Sequence, residues 1–132
     1  MACESLLGTW KSVKDKSIAY NLKYHSPTEA QLDFYKNTLG ILTYTYTESE
    51  VKQHQFQTVK FIINDKVFET GFDERSYPYE VVSCSKVQVE KSFKGILGED
   101  VVSVIQFEKK DLYYMSSGDP ESYREYFERV EL

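Results

Sequence analysis

Arg124 and Tyr126, two positions apart near the end of the chain, are the residues best placed to do chemistry. Side chains two apart on a strand share a face, so a guanidinium and a phenol would stand together. A buried guanidinium needs an anion. Glu128 falls on the same face and can neutralise Arg124 with no ligand at all. Other reactive types are sparse. His25 reads as solvated ahead of a helix and His54 as a surface strand residue, and neither suits an axial haem ligand. Cys3 and Cys84 have no metal-type spacing and make no disulfide framework, so they read as reduced thiols of a cytoplasmic protein. Were a signal removed ahead of Cys3, the chain would be a surface lipoprotein, but Met1-Ala2 is too short for an apolar targeting run. No phosphate loop, Cys-x-x-Cys, metalloprotease helix or nucleophile elbow is present. Carboxylates such as Asp73-Glu74 and Glu99-Asp100 fall in loops. No catalytic residue, metal or cofactor is therefore expected.

Composition narrows the class. The formal net charge is −5 and the basic residues are scattered, so there is no footprint for nucleic acid. No stretch has the length of a membrane span. Eleven Tyr and eight Phe against a single Trp favour half-wet surfaces such as strand faces, cavity walls and interfaces. With three Pro and six Gly there is no flexible tether, and residues 1–132 read as one domain.

The elements that must position these residues are mostly short strands. Leu6 to Val13 reads as the first, entered through Gly8. Ser17 to Tyr24 carries Ile18, Tyr20, Leu22 and Tyr24 at every second position, which favours another. One short helix follows, with Ser26 as cap, Pro27 at its first position and Glu29 completing a capping box, and Asn37 to Gly40 stops it. Further strands are expected at 41–47, 51–58, 59–63, 66–72, 79–84, 87–93, 101–108, 112–116 and 123–130. Tight turns fall at Asn64-Asp65, Ser85-Lys86 and Lys109 to Asp111, and charged 73–77 and 117–122 read as loops. Regular strands joined by hairpins predict an all-β, antiparallel up-and-down barrel of about 8–10 strands with one short helix.

Gly8-Thr9-Trp10 at the first strand resembles the calycin superfamily, which includes lipocalins, fatty-acid-binding proteins and bacterial lipocalin-like domains. The resemblance implies that a late arginine, Arg124 or Arg129, packs over the Trp10 indole and shuts a lipocalin-like barrel at Gly8. Gly8-Thr9-Trp10-Lys11 and Arg124-Glu125-Tyr126 are also similar to fatty-acid-binding proteins, which implies that Arg124 and Tyr126 hold a ligand carboxylate. Those proteins place two helices after the first strand, whereas one is visible here, starting at Pro27. A divergent bacterial-type domain fits better.

The expected function is a carrier or sensor of a small hydrophobic ligand, one carrying a carboxylate included, in a cavity of several hundred Å3. Its lining is drawn from Leu42, Tyr44, Tyr46, Phe107, Tyr114, Arg124 and Tyr126. The alternative is a protein-binding module, such as a small acidic inhibitor or immunity protein, to which the Tyr surplus and acidic balance would suit. An enzyme using the barrel mouth ranks third.

Overall fold

The computed structural model describes residues 3–24, 26–54, 56–63, 65–72, 74–95, 97–117 and 123–130. His25, Asn64, the Met1-Ala2 leader reading and the 118–122 part of the expected loop lie outside them.

The chain is an antiparallel, nearly closed up-and-down barrel. Its nine-stranded sheet runs in the order β6 (Arg75–Pro78), β3 (Glu50–Gln53), β2 (Thr43–Tyr46), β1 (Gly8–Ser12), β11 (Tyr123–Val130), β10 (Leu112–Ser117), β9 (Asp100–Lys109), β8 (Gln88–Lys94), β7 (Glu80–Cys84). The first and last strands lie side by side, Trp10 opposite Arg129 and Ser12 opposite Phe127. β4 (Phe56–Ile63) and β5 (Lys66–Phe72) form a separate hairpin. The 73–77 loop is in part a strand. β6 is an edge of the sheet, which is where Pro78 can sit without costing a ladder bond.

The sheet's two edges, β6 and β7, are joined through Tyr79 alone. Rings rather than ladder bonds close that seam. Tyr77 of β6 packs on Phe93 of β8 with centroids 5.5 Å apart. Tyr79 is buried and donates its hydroxyl to the Thr47 carbonyl at 2.6 Å.

The described residues hold two helices, not one: α1 (Lys14–Tyr24) and α2 (Glu29–Thr38). The period of two over 18–24 misled because α1 has no apolar stripe; Leu22 and Tyr24 are exposed. What α1 buries is Ser17 and Asn21, four apart and so on one helical face. Beyond Ser12 the β1 partner of β11 is gone, and these two side chains replace it. Ser17 Oγ accepts from the Tyr126 amide at 2.9 Å. Asn21 Nδ2 donates to the Arg124 carbonyl at 2.9 Å, and Asn21 Oδ1 accepts from the Arg124 amide at 3.1 Å. Buried backbone groups need partners, and α1 supplies them. α2 is capped by Thr28 in a capping box with Gln31, not by Ser26 with Glu29. Its Tyr35 ring packs on Tyr123 at 5.4 Å, at the end of β11 remote from Trp10.

Residues 3–7 cross the barrel beneath Trp10. Cys3 and Leu6 have no exposed surface. Cys3 and Cys84 are joined in a disulfide across a sequence separation of 81. The reduced-thiol expectation is corrected: closing the barrel brings the end of β7 against the amino-terminal segment. Lipidation of Cys3 is corrected with it, because its sulfur is already bonded. No helix among the described residues is long and apolar enough to cross a membrane.

Candidate functional site

Cross-strand register sorts every strand residue to one of two faces. The face carrying Trp10 also carries Tyr44, Tyr46, Val51, Tyr77, Val89, Lys91, Ile105, Phe107, Tyr113 and Phe127. This is the barrel interior, and most of it forms one buried cluster.

At one end the interior is plugged. Trp10 is fully buried, packs at a tilt on Tyr113 at 4.7 Å and edge-on against Phe107 at 5.9 Å, and donates its indole N–H to the Leu6 carbonyl at 2.8 Å. The Arg129 guanidinium lies 4.3 Å over the indole. It also donates to the Ser5 carbonyl at 3.0 Å, to the Leu7 carbonyl and to Asp111 at 2.7 Å. Arg129, not Arg124, is the closing arginine. Gly8 has φ 119°, a conformation that favours glycine, and a Cβ there would stand 2.7 Å from Arg129 Nη1. A groove of about 890 Å3 outside this plug touches Ser5, Lys86, Lys110 and Arg129, but its arginine is already engaged.

At the other end the interior stays partly open. Tyr44, Gln53, Tyr77, Phe93, Ser103, Met115 and Glu125 share the inward phase yet are only half-buried. An inward residue keeps exposed surface only where water reaches it, so water reaches this end. A cleft of about 340 Å3 at the β6–β7 seam reaches Phe93 and Tyr79 from outside.

Polar groups collect there. Lys91 is 4% exposed. Its Nζ donates to the Tyr46 hydroxyl at 3.0 Å and lies 4.7 Å from that ring's centre. Among the described residues no carboxylate pairs with it, and burial lowers its pKa from 10.5 to about 8. Burial holds the Tyr46 and Tyr44 hydroxyls well above the usual phenol range, so both stay protonated donors. Burial also raises Glu125, against the opposing hydrogen bond it accepts from Ser12 Oγ at 2.6 Å. Gln53 Nε2 is buried with no hydrogen-bond partner among the described residues. Such groups cost free energy unless something satisfies them.

The seven expected lining residues divide between the two faces. Tyr44, Tyr46 and Phe107 face inward, Phe107 against the plug, and Leu42 packs on the core. Tyr114, Arg124 and Tyr126 lie on the outer face beneath α1. There the Arg124 guanidinium sits between the Tyr114 ring at 3.8 Å and the Tyr20 ring at 4.3 Å, and donates to the Tyr126 hydroxyl at 3.3 Å. No ion pair with Glu128 is present among the described residues. The physical reason is the phase of β11: Glu125 and Phe127 take the interior, and α1 buries the opposite face. Arg124 and Tyr126 therefore cannot meet a ligand inside the barrel.

Lys91 was the residue to find. Val89-x-Lys91-x-Phe93 puts a lysine in phase with two apolar side chains, a signal readable without coordinates. His54 is half-buried and bonds Thr45 Oγ1 at 2.7 Å. Among the described residues no three potential metal ligands stand together. Two helices, not the one expected, follow β1 directly. Comparison with protein-family models, curated proteins and solved structures finds no match to the chain.

Proposed function

We propose that the protein binds a small, mostly apolar molecule in the open half of its barrel, with the ligand's polar end against Lys91 and Tyr46. One observation carries this reading. A lysine ammonium is held 4% exposed inside an aromatic barrel with a phenol and no anion beside it. Such a cation costs several kcal/mol to bury, and a ligand head group offsets that cost. A carboxylate or carbonyl oxygen suits Lys91 and the Tyr46 donor together, while Tyr44, Tyr77, Phe93 and Met115 offer the apolar wall. The carboxylate site thus moves from Arg124 to Lys91. The Arg129–Trp10 closure is in keeping with a lipocalin-like carrier. The Cys3–Cys84 bridge favours an oxidising compartment over the cytoplasm.

Titration with 1-anilinonaphthalene-8-sulfonate, followed by displacement with decanoate, tests the reading. Saturable binding of one probe per chain, displaced by decanoate, is expected. Fluorescence that never saturates, or that decanoate leaves unchanged, would contradict it.

A second reading, a protein-binding module, draws on exposed Val82, Val102 and Val104 on the outer wall. A stable partner retained through purification, lost in a Val102→Lys variant, would favour it.

A further inference from the structure

Lys91 has a chemistry that an exposed lysine lacks. Its amine is enclosed by the barrel and is contacted by the Tyr46 hydroxyl rather than by a counterion among the described residues. We infer that the Lys91 amine forms a reversible imine with an aldehyde at the end of an apolar ligand. The inference rests on the carrier reading and names the class of ligand for that site.

The step needs no co-reactant. The neutral Nζ lone pair adds to the carbonyl carbon, and a C–N bond forms as the carbonyl π bond opens onto oxygen. The Tyr46 O–H, kept protonated by burial, is placed to hydrogen-bond that oxygen. The two amine hydrogens leave with the oxygen as water, giving the C=N bond. Amine plus aldehyde yields imine plus water, with no change of oxidation state.

Two features make the site suited to this. A neutral amine is the nucleophile, and burial leaves about one Lys91 in ten neutral near pH 7, against about one in three thousand for a lysine at 10.5. Imines hydrolyse in water, and the enclosure of Lys91, a residue 4% exposed, slows the reverse step.

The test uses the intact, disulfide-bonded chain. Decanal is added below one equivalent with sodium cyanoborohydride, which fixes any imine as a decyl amine, and the product is mapped by mass spectrometry of peptides. Lys91 is expected to be labelled at least about tenfold faster than any exposed lysine. Decanoate is expected to suppress labelling at Lys91 and not at the N-terminal amine, whose ordinary pKa is similar. Labelling spread over exposed lysines with Lys91 untouched, while decanoate still displaces the naphthalene probe, overturns the imine and leaves the carrier standing. Failure of both decanal and decanoate to engage the chamber overturns the two together.

Discussion

The two ends of this barrel are made by the same strands and behave as opposites. Beneath Trp10 every group is spent: the indole N–H, the Arg129 guanidinium and the Cys3 sulfur all have partners within the chain. At the other end the interior holds a lysine without a counterion among the described residues, a carboxyl raised by burial, and an unsatisfied Gln53 nitrogen. The first end is what stability requires, and the second is what stability would remove. Natural chains keep such costs where function needs them.

That contrast can be broken from either side. The largest effects belong to the plug. Trp10→Ala should destabilise by about 4 kcal/mol in urea unfolding, from lost burial and the cavity left behind. Reducing the Cys3–Cys84 bridge should cost a similar amount, about 4 kcal/mol, because it closes a long loop. A loss under 1 kcal/mol for both would show that the plug is not the anchor.

Lys91→Met should do the reverse and stabilise the protein. The folded pKa of about 8 lies below the ordinary 10.5, so the unfolded chain holds more protons between those values and stability rises with pH across that window. The cost of the buried charge is fully present below about pH 8. The variant should therefore gain up to about 3 kcal/mol at neutral pH, and the gain should vanish above about pH 10.5. A pH-independent change would mean that the charge is not what the substitution removes.

Glu125→Gln should follow the opposite course. Its folded pKa is raised, so folding favours the protonated form and stability falls as pH rises above the ordinary carboxylate value. The variant should be more stable than the parent at neutral pH and equal to it in acid, read by thermal melts across pH. The smallest effect is expected for Arg124→Met. Its cation–π contacts lie outside the barrel and are worth about 1 kcal/mol.

The plug was legible because its signal is local: Gly8, one spacer and Trp10 on one strand, with an arginine on the neighbouring one. Most strands were legible for the same reason, since hairpin turns and period-two alternation act over a few residues. What escaped was the choice of face. β11 carries aromatic residues in both phases, Tyr123 and Phe127 in one and Tyr126 in the other, because the barrel covers one face and α1 the other. Alternation cannot say which of two covered faces is the interior. α1 itself was hidden because its buried residues are Ser17 and Asn21, chosen to bond a strand edge rather than to fill a core. The disulfide was hidden because pairing follows from closure, not spacing.

The most direct test sets Lys91 against Arg124 in one experiment. Decanoate displacement of the naphthalene probe is measured for the parent, Lys91→Met and Arg124→Met, beside their urea unfolding curves. The account predicts that Lys91→Met binds at least about tenfold more weakly while being more stable, and that Arg124→Met binds as the parent does. Unchanged affinity in Lys91→Met, with affinity lost in Arg124→Met, would contradict it and return the ligand to the outer face.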